Sequence, residues 1–349
     1  MSEPIRGRGA AQNPKNRFLE TSLEYDVDEE TGQLNRPDTK LIPDHTVNII
    51  STNKSPDIGF EVSINPYRGC EHGCVYCYAR PTHEFLGMSA GLDFESKIIV
   101  KYDAPVLLRK ALADKKWKPQ TLVMSGVTDP YQPIEKKLRI TRGCIKVLAE
   151  SNHPLVIITK NYGVTRDIDL ISRLAKINAV KVVLSITSLD KNLTSTMEPR
   201  TSRPPKRLQA VRELSEAGIP VHVNIAPLIP GLTDDEIVPI MEAAAEAGAG
   251  SVSTVILRLP YGVKDLFVKW LEDHHPDRKQ KVLNKIKSLK NGELNRSEFG
   301  ERFRGEGPYG EQIKQLVGIH ARRLGLNKEN KSLNTSHFKR PQTDQLNLF

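Results

Sequence analysis

The sequence predicts an α/β protein, a six-unit partial (βα)6 TIM-type barrel with a polar N-terminal arm and a C-terminal helical extension. Two observations carry that prediction. From residue 60 onward, short β-branched apolar runs alternate with longer stretches of helical period, the pattern of strand and helix units feeding a parallel sheet. A closed eight-unit barrel typically needs about 250 residues, whereas the alternating region spans roughly 200, so a partial barrel fits better.

The predicted strands cover residues 60–64, 121–125, 155–159, 181–186, 221–225 and 251–257, and the helices between them cover 105–113, 135–151, 165–177, 205–217 and 234–247. Gly218 and Gly248 stand where helix C-terminal glycines belong, and Asp234 lies near a helix start. Residues 1–56 are polar and without sustained periodicity, an arm expected to pack weakly or wrap onto the body, and the barrel follows over 57–260. Residues 261–326 hold two charge-rich helices (263–274 and 277–290), a Gly-rich turn region and a helix over 311–324, expected to cover an edge of the sheet. Residues 327–349 form a polar tail.

Strand alternation places Val183, Ser185 and Thr187 on one face, and His222 and Asn224 on one face of the next strand. Such a polar stripe needs partners, which are either its own members and ordered water or a ligand.

Lys plus Arg total 51 against 42 for Asp plus Glu in the 349 residues, a formal charge of +9. That balance suits a polyanionic partner such as nucleic acid, and equally a solvated basic surface. Met1 to Ala10 carries Arg6 and Arg8 without an apolar stretch, so nothing reads as a secretory signal, and no run of about 18 apolar residues marks a membrane span. A cytoplasmic protein with no membrane partner is expected. Three of the four cysteines crowd into one short stretch, a distribution that argues for metal ligation rather than disulfides.

That stretch runs from Asn65 to Arg80, with Cys70, Cys74 and Cys77 on a loop just after the first predicted strand. Structural zinc takes four ligands, and His72 or His83, inside or just beyond the loop, would have to supply the fourth. Three thiolates suit a cubane cluster with one iron left open, since ferredoxin-type clusters use four. Gly69 and Gly73 relieve the backbone where it folds back. The C-terminal end of a barrel strand is also where catalytic groups gather.

At these residues the chain resembles the radical S-adenosylmethionine (radical SAM) superfamily, whose signature is Cys-x3-Cys-x2-Cys with an aromatic residue before the third cysteine, here Tyr76. The resemblance extends over roughly residues 60–260. It implies that Cys70, Cys74 and Cys77 bind three irons of a 4Fe-4S cluster, that S-adenosylmethionine chelates the fourth, and that one-electron reduction yields a 5'-deoxyadenosyl radical that abstracts hydrogen from substrate. It also implies an electron donor such as flavodoxin or ferredoxin. Tyr76 maps to the adenine contact, and Ser125, Gly126, Val127 and Thr128 map to the segment meeting the methionine amine, although the familiar Gly-Gly-Glu is absent. Ser185 and Thr187 map to the ribose, with Glu198 and Arg200 as ribose and carboxylate partners; a surface ion pair is the alternative for those two.

Residues 65–80 with Thr128, Asp129, Pro130, Tyr131, Gln132, Pro133 and Glu135 resemble the branch grouped with spore photoproduct lyase, often labelled DNA repair photolyase-like. This implies a DNA repair-like lyase acting on nucleic acid. That branch's lyase uses a fourth cysteine as hydrogen donor, for which Cys144 is the candidate here; in mid-helix, a cysteine is usually a small buried hydrophobe. Radical modification of RNA or protein is a second reading, and a non-catalytic Fe-S nucleic-acid-binding module a third. Asp129 and Tyr131 are the catalytic candidates, placed with Glu135 where substrate would approach; Tyr131 could stack a base or relay hydrogen, and packing or loop capping is the alternative. The final residues Gln345, Leu346, Asn347, Leu348 and Phe349 resemble the bacterial sliding-clamp-binding motif, with Leu346, Leu348 and Phe349 as apolar plugs and Gln345 setting register; packing back on the enzyme is the alternative.

Overall fold

A computed structural model describes residues 7–19, 37–300, 302–303, 305–327 and 332–342. The strands are Lys40–Pro43 (β1), Ile50–Thr52 (β2), Val62–Ile64 (β3), Tyr67–Arg68 (β4), Lys97–Val100 (β5), Leu122–Met124 (β6), Leu155–Thr159 (β7), Val180–Ser185 (β8), Val221–Leu228 (β9) and Ser251–Ile256 (β10). The main sheet runs β10-β9-β8-β7-β6-β3-β2. Strand β2 pairs antiparallel at one edge and every other pairing is parallel, giving a mixed α/β fold built on a parallel sheet.

The two faces of the sheet differ sharply. On β7, Leu155, Ile157 and Thr159 are buried while Val156 and Ile158 are only partly so, and cross-strand registry carries the split into β8, where Ile157 faces Val182 and Ile158 faces Val183. One face is sealed by helices such as Ile168–Ala175, which buries Leu170, Ile171 and Leu174; each such side chain contributes about 1.5–3 kcal/mol. The other face carries Val183, Ser185, His222, Asn224, Ser251 and Ser253 in register. Its polar members bond to one another: His222 reaches Ser251 Oγ at 2.8 Å and Ser253 Oγ at 2.7 Å, and Ser253 donates to Asn224 Oδ1 at 3.1 Å.

Several local expectations need correction. The segment expected as an irregular arm supplies β1 and β2, with β1 pairing β5 in a second, three-stranded sheet. Its periodicity is invisible because strands of four and three residues are too short to show one, and β1 also depends on a partner far along the chain. Strand β5 and the helix Lys191–Met197 also escape the sequence reading. The helix expected over 135–151 is two helices, Glu135–Leu138 and Ile140–Glu150, broken at Arg139 with φ 55°. The Glu135 carboxylate then accepts from the backbone N–H of Thr141 at 3.0 Å and Arg142 at 3.3 Å, capping the second helix.

In the C-terminal extension, Val263–His274 and Pro276–Ser288 join an apolar cluster containing Cys74, Val75 and Tyr76, so they back the cysteine loop, while Gly307–Arg323 packs near the β10 edge. Residues 332–342 return to the amino ends of the strands: Asn334 N donates to Asn178 O and Lys339 N to Ser151 O, both at 2.8 Å. Gln345, Leu346, Leu348 and Phe349 lie outside the described residues. Among the described residues no helix is long and apolar enough to cross a membrane.

Candidate functional site

The cysteine loop leaves the carboxyl end of β3, folds through β4 and is fastened from several sides. Cys70 N donates to Phe94 O at 2.9 Å, Val75 N to Met197 O at 3.0 Å and Cys77 N to Cys74 O at 3.2 Å. Gly73 sits at φ 67°, and a Cβ there would lie 2.7 Å from the Glu95 carboxylate; a Cβ on Gly9 would lie 1.7 Å from Gly73 O. Glycine is therefore required at both points of this close backbone approach.

Beneath the loop lies a fully buried ion pair, Arg80 with Glu95. Arg80 donates to the carbonyls of Cys74 and Gly91, both at 2.9 Å, and Glu95 accepts from the backbone N–H of Gly9 at 3.0 Å and Ala10 at 2.8 Å. One charge pair thus ties the cysteine loop, the following turn and the N-terminal segment together.

Cys70 and Cys74 are buried, Cys77 is partly so, and all three are free thiols. Burial, first of all, raises each thiol above its ordinary value; Asp129 adds to this at Cys70 and Glu198 at Cys74, while Arg80 opposes it at Cys77 and Lys160 at Cys74. Thiolates in such a place need a cationic centre, as an iron-sulfur cluster provides. Structural zinc takes four ligands, whereas the loop offers three thiols. A cubane with one iron left open takes three. The donor set fits a cluster.

Around the loop the predicted cofactor residues assemble in two groups. In the first, Ser125 and Gly126 follow β6 with φ of 147° and 133°, a strained conformation for a serine. Ser125 Oγ donates to Thr128 O at 3.0 Å, and Thr128 Oγ1 donates to Gly69 O at 2.6 Å, locking this segment onto the cysteine loop. Tyr78, next to Cys77, donates to Gly126 O at 2.7 Å.

In the second group, the Tyr76 hydroxyl donates to Glu198 at 2.5 Å and lies 3.3 Å from Thr187 Oγ1. Lys160, at the end of β7, donates to Thr187 Oγ1 at 3.0 Å and to Ala226 O at 2.7 Å, and stands 3.5 Å from Glu198. Arg207, fully buried, closes on the other Glu198 oxygen at 2.8 Å and donates to Ser185 O at 3.0 Å. Burial alone would raise the Glu198 carboxyl, yet Arg207 and Lys160 hold it below the ordinary range. Glu198 is therefore a buried hub, not half of a surface ion pair. Arg200 is partly buried, donating to Glu71 at 3.0 Å, and its Nη1 is buried without a partner.

The catalytic candidates sit differently. Tyr131 is buried, and its hydroxyl donates to Asp167 at 3.0 Å, so its ring is packed rather than presented to a base. Asp129 accepts from Thr159 Oγ1 at 2.7 Å and from the N–H of Tyr131 and Lys160, each at 2.8 Å, with His72 3.4 Å away. Burial would raise this carboxyl, but His72 and those hydrogen bonds bring it below the ordinary value. Asp129 thus caps the turn after β7 and orients Lys160. Cys144 is fully buried in the main core. Sequence reasoning missed Lys160, Glu95 and Arg207; a lysine directly following an apolar strand was the available signal for Lys160.

Comparisons with known proteins bear on the fold and the family. The chain is 36% identical over 230 residues to the uncharacterized protein Rv2578c of Mycobacterium tuberculosis, covering 64% of this chain and 68% of that one. It is 34% identical to the uncharacterized protein MJ0683 of Methanocaldococcus jannaschii, over 54% of this chain and 67% of that one. Among solved structures, a tyrosine-to-phenylalanine mutant of spore photoproduct lyase superposes with TM-score 0.56 at 16% identity, covering 82% of this chain and 79% of that one. A cysteine-to-alanine mutant of that lyase with dinucleoside spore photoproduct gives TM-score 0.56 at 16% identity over 85% and 86%. These structures share the fold. The family model described as the Radical SAM superfamily matches residues 64–244, from the end of β3 through the fifth parallel strand, just over half of the sequence. A cysteine loop so fastened, on strands so matched, makes this chain a member of the radical SAM superfamily.

Proposed function

We propose that the chain is a radical SAM enzyme acting on nucleic acid as a repair-like lyase, on a six-unit partial barrel, with Cys70, Cys74 and Cys77 holding a 4Fe-4S cluster. The observation that carries the cofactor assignment is the set of three free thiols on one anchored loop at the carboxyl end of β3, backed by the buried Arg80–Glu95 pair. When bound, the cluster and S-adenosylmethionine supply reductive cleavage of a sulfonium and a 5'-deoxyadenosyl radical, for which an external low-potential electron donor is required.

The chain's own residues bind and orient. Ser125, Gly126 and Thr128 present a rigid backbone edge beside the loop for the methionine amine, and the orphaned Nη1 of Arg200 is the donor available to a carboxylate. Ser185 supplies a buried hydroxyl for the ribose. Thr187 and Glu198 already spend their oxygens on Lys160, Tyr76 and Arg207, and so act by positioning Tyr76 against the adenine. The polar face of the sheet, partly exposed along β9 and β10, is where substrate would approach. The fold shared with spore photoproduct lyase and the basic composition support nucleic acid as the substrate class.

Anaerobic reconstitution with iron and sulfide, followed by dithionite and S-adenosylmethionine, is expected to release 5'-deoxyadenosine. An intact cluster without cleavage would overturn the enzyme reading and leave a cluster-bearing binding module.

A further inference from the structure

Directly after β10, Leu257 and Leu259 are buried in the apolar cluster that also holds Cys74, Val75 and Tyr76. Arg258 between them points the other way, as alternation along an extended segment requires. Its guanidinium lies 5.7 Å from the Tyr78 ring and 4.7 Å from the Phe303 ring. Tyr78 immediately follows Cys77, so Arg258 stands one ring away from the cysteine loop.

What distinguishes this arginine is that, among the described residues, it has no ion pair of its own, Asp57 acting on it only at longer range. Its Nε is buried without a hydrogen-bond partner, and among the described residues no carboxylate pairs with it. Its neighbour Arg302, whose guanidinium lies 4.9 Å from the same Phe303 ring, is neutralised by Asp57 at 2.8 Å. Burial, and then the Arg302 charge, push Arg258 below the ordinary guanidinium value. A partly buried cation with an unmet donor is costly unless an anion arrives from outside.

We propose that Arg258 is a phosphate-recognition residue at the substrate mouth, taking a backbone phosphodiester of single-stranded nucleic acid while Tyr78 and Phe299 offer stacking surfaces to its bases. Tyr78 and Phe299 are 52% and 62% exposed, and Arg302 lies over the Phe299 ring at 4.8 Å. Interleaved rings and guanidinium groups are what a single strand requires, stacking for the bases and forked donors for the phosphates. An acidic peptide would use the cation and leave the exposed rings idle. The assignment rests on the nucleic-acid reading of the same site, but its test measures binding alone and needs no turnover.

The probe is a fluorescent 12-mer oligothymidylate, with the oligouridylate as a second arm, titrated anaerobically against the reconstituted protein over a range of salt concentrations. Arg258→Gln is expected to weaken binding about 10-fold and to reduce the salt slope by about one, with iron content and melting temperature at the wild-type level. Arg258→Lys should recover part of the affinity but not all, because a point charge lacks the fork. The control is Arg323→Gln, an exposed arginine paired with the exposed Glu242 on the helix Ile237–Glu246; it should bind the oligomer as the wild type does. Equal weakening in Arg258→Gln and Arg323→Gln would reduce the effect to general charge and overturn the proposal. Arg258-dependent binding of oligoglutamate in place of either oligomer would reassign the site to acidic peptides. Unchanged oligomer affinity and salt slope in Arg258→Gln would remove the site altogether.

Discussion

The two ends of the parallel sheet are built on different principles. At the carboxyl end, three cysteines, the cations Arg80, Lys160 and Arg207 and the carboxylates Glu95 and Glu198 are packed into one region with strained backbone at Ser125. At the amino end, short turns with Asn152 and Asn178 in the left-handed region are covered by residues 332–342, and His153 meets Trp117 in a tilted contact and Phe338 edge-on. The first end holds buried charge that burial alone would not favour, an arrangement that orients groups for chemistry. The second spends its contacts on closure. The division matches the general rule that strand carboxyl ends carry catalysis and amino ends carry stability.

The largest expected effect separates the ends by iron. Cys70→Ala, Cys74→Ala and Cys77→Ala should each lose the cluster and 5'-deoxyadenosine formation, because no other thiol is placed to substitute. Cys144→Ala, in the core, should keep its iron. Iron loss in Cys144→Ala matching that in the loop variants would show the ligand set to be wrong.

Next comes the buried pair under the loop. Arg80→Met leaves Glu95 buried with only two backbone donors, and should cost about 3–5 kcal/mol in urea unfolding. Cys74 also loses the donor to its carbonyl, so iron occupancy should fall with stability. A loss below about 1 kcal/mol would mean that the carboxyl end is less dependent on charge than its geometry indicates.

The amino end should respond to acid instead. Burial lowers the His153 pKa from 6.5 to about 4, and Trp117 donates to its Nε2 at 3.1 Å. As pH falls below 6.5 the unfolded chain takes up a proton that the folded chain refuses until about pH 4, so stability declines through that window. The linkage amounts to about 3 kcal/mol at most. His222 shifts in the same direction, to about 4, and burial lowers His83, His274 and His275 as well, so His153→Leu should flatten the acid limb of a stability-against-pH curve in part. An unchanged limb would show that His153 is not the titrating group.

The smallest effect concerns the returning segment. Phe338→Ala removes an edge contact on His153 and should lower stability by about 1 kcal/mol while leaving iron content and 5'-deoxyadenosine formation unchanged. If iron also falls, the two ends are not energetically separate.

Much of this is legible in the sequence. The spacing of Cys70, Cys74 and Cys77 behind an apolar strand is local information, because ligands on one short loop need no distant residue to define them. Strand β7 and the helix Val263–His274 have the bounds that periodicity predicts, since each buries one face along its length. Strands β1 and β5 escape it because each is stabilised chiefly by the other, across a long stretch of sequence. Nor does the sequence show that Glu198 is a hub or that Tyr131 is packed away. A carboxylate looks the same in a string of residues whether it faces water or Arg207, and only burial makes the pairing obligatory. Local spacing therefore determined the cysteine loop and the order of the six parallel strands of the main sheet, whereas the partners of Arg80, Lys160 and Glu198, and the lack of an ion pair for Arg258 among the described residues, were decided by tertiary packing, which alone sets whether a charge meets solvent, a counter-ion or neither.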